Sequence, residues 1–273
     1  DEPILIRALG ERRKESRAAA QGLLATLPES ALARRMRAAA EALIQFHSGF
    51  LSKKLEVVLP AAFDPAWKAE GIEEKPPAGM GEKAHWAQQI LSLVPVRVWA
   101  EKFRLDAAAL VALAAKSDDW SGLLLAAWTR AALLHREPEA AAALAEALLA
   151  QARKAKAVAP IGTVVSLLLV APEEARWRML ANDEAIAWQM LGQLPGTLSV
   201  AQGRTLLTLL APSLLSGYNP GGSPAAMIAA RRIPPLLREE ASRLLTRDNG
   251  LSKPAEAFLR ALELRAAIHA AFA

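Results

Sequence analysis

The sequence predicts an all-α protein, a solenoid of antiparallel helical hairpins interrupted by one long irregular loop. Three observations lead there. The apolar content, 53% of 273 residues, is mainly Ala and Leu, with only six Phe and one Tyr, a composition that favours closely packed helices over sheets. Leucine-rich phrases recur and each ends at a proline: LLATLP at 23–28, ILSLVP at 90–95, LLLVAP at 167–172, MLGQLP at 190–195 and LTLLAP at 207–212. Proline cannot continue a helix, so each phrase predicts a stop and a corner. Between corners the apolar residues keep helical spacing, and short helix pairs that bury a face only against their neighbours are the habit of a helical solenoid.

Taken in order, Asp1 is the expected N-cap of a short first helix with Pro3 in its first turn and Ile4, Leu5, Ala8 and Leu9 as its apolar positions. Arg12, Arg13 and Lys14 fall at the turn that follows. In the second helix Ala20, Leu23, Leu24 and Leu27 lie at i, i+3, i+4 and i+7 and are expected on one buried face. Residues 55–83 break this habit: LEVVLP alternates weakly, and Pro65, Gly71, Pro76, Pro77, Gly79 and Gly81 predict a long ordered loop. Helix returns over 84–94. The run DDWSGLLLAAWTRAALLH predicts another helix, capped by Asp118 or Asp119, with Trp120, Leu124 and Ala127 on one side. PEEARWRML opens on Pro172 with acidic residues in its first turn, and SGYNPGGSPA at 216–225 separates the last helices. The expected organisation is hairpins over 1–54, the Pro/Gly loop over 55–83, and one continuous helical-repeat region over 84–273. Because the chain opens on Asp1 rather than Met, the first hairpins are expected to continue an earlier segment.

The opening hairpin resembles a HEAT repeat, whose second helix begins with an Arg and small residues, as SRAAAQGLLATL does at Arg17. The resemblance implies a HEAT-like α–α superhelix in which Arg17 is structural and ties repeats together. The usual acidic residue near the turn is replaced here by LGERRK, leaving Glu11 or Glu15 as its substitute. Further, DEPILIRALGERRKESRAAAQGLLATLPESALARRM and LPAAFDPAWKAEGIEEKPPAGMGEKAHWAQQILSLVP are similar to a bacterial HEAT-like family, domain of unknown function 5691, with the match strongest over roughly the first 100 residues. That resemblance implies an accessory role beside MoxR-type AAA+ ATPases and von Willebrand factor A proteins.

The net charge of +5 is uneven: residues 1–54 hold ten Lys/Arg against six Asp/Glu, and 55–120 hold seven against ten. Arg12, Arg13 and Lys14 together with Arg34, Arg35 and Arg37 predict a basic patch across two hairpins, of a kind that attracts nucleic acid or an acidic partner; solvated helix faces are the plainer reading. No apolar run is long enough to span a bilayer, so no membrane segment is read. The absence of Cys excludes disulfides and thiolate metal sites and fits either compartment; the expected location is the cytoplasm.

No catalytic residue, cofactor or metal site is read from the sequence. GMGEK fails the phosphate-loop pattern, because Lys83 is followed by Ala84 and no strand precedes it. His47, His85, His135 and His269 are scattered singly, there is no GxSxG elbow, and the carboxylate pairs Asp118/Asp119 and Glu173/Glu174 sit at helix starts, where capping explains them. Most of the seven Trp fall at core spacing. Trp67 and Trp86, with Asp64 beside them, flank the loop and either anchor it or fill a partner's pocket. The leading functional expectation is therefore a noncatalytic adaptor for a protein partner; the alternative is a DNA-binding or DNA-glycosylase-like helical-repeat protein, and a third is an enzyme whose site lies in an earlier segment.

Overall fold

The computed structural model describes residues 2–49, 53–117, 119–194, 196–216, 222–246 and 250–272. The chain is mostly helical, with one small two-stranded sheet, and it divides into two compact units, Asp1–Pro172 and Glu173–Ala273. The sequence boundaries near 54 and 83 both fall inside the first unit. Among the described residues no helix is long and apolar enough to cross a membrane.

The first unit opens with α1 (Glu2–Ala8), α2 (Lys14–Thr26) and α3 (Ala31–Leu43), each packed on the next. Ser30 caps α3, its hydroxyl accepting from the Ala33 N–H at 3.0 Å while donating to the Leu24 carbonyl at 2.7 Å, which fixes the corner after LLATLP. Leu32, Met36, Ala40 and Leu43 form the buried stripe of α3. On α2 only half of the expected face is covered. Ala20, Leu24 and Ala25 are buried, but Leu23 is 55% and Leu27 40% exposed, because the helices packed on α2 lie against the Ala20–Leu24 side.

From α3 the chain passes directly into β1 (Ile44–Ser48), which pairs antiparallel with β2 (Lys53–Val57) in the register Ile44↔Val57 and Phe46↔Leu55. The alternation in LEVVLP thus belongs to a hairpin strand, and Leu55–Val57 leave the expected loop. The sheet is held from one side only: Ile44, Leu55 and Val57 are buried. The chain then runs through α4 (Pro65–Ala69), α5 (Glu82–Leu91), α6 (Val96–Phe103), α7 (Ala107–Ala115), α8 (Ser121–Leu134), α9 (Pro138–Ala155) and α10 (Ile161–Val170). Phe46 stacks on Phe103 with centroids 5.1 Å apart, and Phe103 stacks in turn on Trp99 at 6.1 Å, so the hairpin is pinned by an aromatic row.

The centre of this unit is α8, on which Leu124, Leu125, Ala127, Trp128, Ala131 and Ala132 are all buried as α5, α7, α9 and α10 close around it. The alanines allow that close approach. Trp120, rather than Asp119, occupies the cap position of α8, and Asp118 lies outside the described residues. The corner after ILSLVP is closed by a buried carboxylate, Glu137, which accepts from the Val96 N–H at 2.7 Å and the Arg97 N–H at 3.0 Å. These are unpaired first-turn donors of α6, where a negative charge is also favoured by the helix dipole.

The second unit contains α11 (Glu173–Leu180), α12 (Glu184–Leu191), α13 (Val200–Ser216), α14 (Gly222–Arg232), a 3-10 turn (Pro235–Leu237), α15 (Arg238–Leu245) and α16 (Lys253–Ala271). α14 and α16 pack along each other, and α13 lies against α12, α15 and α16. One proline stop fails here. Pro212 sits inside α13 rather than ending it, because Leu206, Leu207, Leu210, Ala211 and Leu214 are buried against those neighbours and outweigh the roughly 3 kcal/mol that an internal proline costs. Arg265 ties α16 to the end of α14, donating from Nη1 to the carbonyls of Ala230 and Ile233 at 2.6 Å each.

Gly203 of α13 is where the 3-10 turn comes closest: an added Cβ would collide with the ring of Pro234 and approach the Leu237 side chain to 2.9 Å. Gly203→Ala is therefore expected to destabilise the protein by about 1–3 kcal/mol through overpacking, despite alanine's better helix propensity. Thermal unfolding of the variant checks this. Gly122, which faces open space on α8, is the control, and its change to Ala leaves stability equal or higher.

Candidate functional site

The segment between β2 and α5 is fixed at each stage. Asp64 caps α4, its Oδ1 accepting from the Ala66 N–H at 2.9 Å, and Pro65 takes the first helical position. After α4 the backbone turns back: the Ile72 N–H reaches the Trp67 carbonyl at 3.0 Å, and Gly71 adopts a φ of 85°. Gly71 also lies against the Gln21 side chain, so it is required both for its left-handed backbone and for its lack of a Cβ. That turn delivers Glu70 and Ile72 into the protein, 3% and 2% exposed.

Five interactions then tie the loop down. Arg35 of α3 donates from Nε to the Glu70 carboxylate, and Gln21 of α2 donates to the Glu70 carbonyl at 2.8 Å. Gln89 of α5 clamps the backbone of Glu73 from both sides, accepting from its N–H at 2.8 Å and donating to its carbonyl at 2.9 Å. Trp86 donates from Nε1 to the Glu74 carbonyl at 2.7 Å, and Lys14 pairs with the Glu73 carboxylate at 2.8 Å. The bonds from Arg35, Gln21 and Trp86 are partly buried and satisfy polar groups that burial takes from water, whereas the Gln89 clamp on Glu73 is exposed.

The aromatic residues named from the sequence have different positions. Trp86 is buried and anchors the loop from beneath. Trp67 is half-buried on α4, edge to face with Phe63 at 5.6 Å, and Phe63 also meets Trp86 at 5.3 Å. Trp67 and Trp86 therefore belong to one aromatic cluster centred on Phe63, and Asp64 caps the helix that carries Trp67.

The basic residues are divided by carboxylates. Lys14 is paired with Glu73, Arg35 with Glu70, and Arg37 with Glu41 at 3.0 Å, whereas Arg12, Arg13 and Arg34 are exposed and no described carboxylate lies within ion-pairing distance of them. Arg17 is half-buried and donates from Nη1 to the carbonyls of Glu11 and Arg12, 2.9 Å each. It braces the turn between α1 and α2 through backbone oxygens, with neither Glu11 nor Glu15 contributing a carboxylate.

Between α2, the loop and α5 lies an open cleft of about 920 Å³ that extends to Arg130 of α8. Cations dominate its wall: Lys14, Arg17, Lys68, Lys75 and Arg130, against Glu73 and Glu74. Lys14 bonded to Glu73 holds that carboxyl below its ordinary range. His85 forms part of the wall and is buried; burial holds its imidazole below the usual histidine value, Glu73 opposing and Lys14 and Arg130 adding to the effect. Its Nε2 is covered and finds no hydrogen-bond partner among the described residues. Among the described residues, no group of three or more His, Asp or Glu is arranged to hold a metal ion. Gln21, Glu70, Ile72, Gln89 and Arg130 were not singled out in the sequence; the one available signal was Ile72, a lone large apolar residue in a polar loop.

If Arg35 anchors the loop and Arg34 is a solvated surface charge, truncating them has unequal effects. Arg35→Ala strands the buried Glu70 carboxylate and is expected to cost roughly 1–3 kcal/mol of unfolding free energy, while Arg34→Ala stays within about 0.5 kcal/mol. Denaturant unfolding of the two variants measures the difference.

No curated protein matches the chain, and no solved structure does. A family model does match, over residues 1–272, so the similarity extends well beyond the N-terminal segments in which the resemblance is strongest. The chain belongs to the family of unknown function DUF5691.

Proposed function

We propose that this protein is a noncatalytic helical-repeat adaptor, a HEAT-like superhelix whose first unit offers its docked loop to a protein partner. One observation supports this most: Phe63 and Trp67 remain half-exposed on a segment whose backbone is otherwise held down by α2, α3 and α5. Loops longer than about 12–15 residues are uncommon within compact units unless they serve a function, and a pre-ordered aromatic pair binds with little entropy left to lose. The solenoid reading draws on the sequential packing of α7, α8, α9 and α10. The partner class, a MoxR-type AAA+ ATPase or a von Willebrand factor A protein, follows from the family resemblance.

DNA binding is the second reading, favoured by the exposed and unpaired Arg12, Arg13 and Arg34. The two readings separate in one set of measurements. Against a purified AAA+ or von Willebrand factor A partner, Trp67→Ala is expected to lose about 2 kcal/mol, roughly thirtyfold in Kd, with its circular dichroism spectrum unchanged. The Arg12, Arg13 and Lys14 to Ala triple variant is expected to leave duplex DNA binding weak and unaltered. Tight DNA binding that weakens steeply with salt and disappears in the triple variant would overturn the adaptor reading in favour of the second.

A further inference from the structure

The cleft beside the loop has a charge composition that partner capture through Phe63 and Trp67 does not explain. Five cations line it against two carboxylates. They come from separate elements: Lys14 and Arg17 from α2, Lys68 from α4, Lys75 from the loop and Arg130 from α8. Like charges brought to one concave surface repel each other and raise the local potential, and a concave, low-dielectric wall concentrates that field. Two of the five are already engaged, Lys14 with Glu73 and Arg17 with the turn carbonyls. Lys68, Lys75 and Arg130 reach no described carboxylate and remain available to a ligand.

His85 gives an independent indication. It is only 8% exposed, it lies in the wall of the same cleft, and its Nε2 has no hydrogen-bond partner among the described residues. Buried polar nitrogens in folded proteins nearly always have partners, and one that lacks a protein partner calls for an explanation, a bound water or ion among them. The imidazole faces Glu73 from the loop, Lys14 from α2 and Arg130 from α8. Burial is the main cause that holds its imidazole below the usual histidine value, Lys14 and Arg130 add to it, and an anion beside them would offset their part.

From the convergent cations and the unsatisfied imidazole, we infer that this cleft binds a phosphate group, carried by a small phosphorylated molecule or free in solution. The available donors, Lys68 of α4, Lys75 of the loop and Arg130 of α8, come from separate elements, which suits a tetrahedral dianion that accepts many hydrogen bonds better than a planar carboxylate that accepts along one edge. The volume, about 920 Å³, is at the upper end for small-molecule sites and leaves room for an organic part, with Gln21, Gln89 and Glu74 as polar partners for it. This inference is independent of the adaptor reading, since neither Phe63 nor Trp67 lines the cleft.

The test is titration calorimetry of the full chain at low salt with inorganic phosphate, ribose 5-phosphate, adenosine monophosphate and citrate, accompanied by histidine ring NMR. Saturable binding of at least one phosphate compound is expected, with the His85 ring signals shifting and those of His47 and His269 fixed. Lys75→Ala and Arg130→Ala are each expected to weaken it roughly tenfold, and Arg34→Ala, outside the cleft, not at all. Equal affinity for inorganic and organic phosphates assigns the site to free phosphate; tighter organic binding assigns it to a phosphorylated metabolite. Absence of saturable binding, binding indifferent to Lys75 and Arg130, or preference for citrate would each overturn the inference.

Discussion

A single buried carboxylate, that of Glu70, governs how the first unit is arranged around its loop. A charge at 3% exposure loses most of its hydration, a penalty of several kcal/mol that only a close counter-ion and good hydrogen bonding can offset. Arg35 provides the counter-ion from α3, and Gln21 holds the carbonyl of the same residue from α2. One residue thereby fixes the loop to two helices. The second carboxylate oxygen has no hydrogen-bond partner among the described residues, so losing Arg35 would leave the whole charge exposed to the low-dielectric interior. Once Glu70 is set, Ile72 is buried beside it and Glu73 comes within reach of Gln89 and Lys14.

The same arrangement sorts the basic residues into two kinds. Those turned toward the loop act as counter-ions, and their energetic role is to stabilise the fold. Those turned away carry charge into solvent, where an isolated ion pair would add at most about 1 kcal/mol. The cleft lies between these two conditions. Its cations, from α2, α4, the loop and α8, line one cleft, yet Lys68, Lys75 and Arg130 have no described carboxylate within ion-pairing distance. Structural ion pairs and ligand-binding charge are thus adjacent in this unit but are carried by different side chains.

Much of the helical architecture was legible in the sequence because it depends on local chemistry. The leucine-rich phrases that end at Pro28, Pro95 and Pro172 stop where their prolines predict, each proline lying between helices, whereas Pro65, expected in the loop, opens the short helix α4. Three features escaped for reasons of tertiary origin. The β hairpin follows α3 with no intervening turn signal, and its strands hold because Phe46 meets Phe103, a residue far along the chain. Pro212 reads as a stop by propensity but is overridden by burial on both sides of it. Leu23 and Leu27 have the spacing of a core face, and whether such a face is covered depends on neighbours that the spacing does not describe. At the site, Trp86 and Lys14 were visible by residue type, whereas Gln21, Gln89 and Arg130 are ordinary polar residues until folding brings them to the loop.

The central claim is that the loop is a fixed wall rather than a slack connection, and amide hydrogen exchange of the full chain tests it most directly. The Ile72 N–H is bonded to the Trp67 carbonyl and the Glu73 N–H to the Gln89 side chain, although neither lies in a helix or strand. Both amides are predicted to exchange as slowly as those in the middle of α5, since opening either requires the loop to leave the surface. Exchange of the two at the rate of an unstructured peptide, while α5 stays protected, would contradict the account.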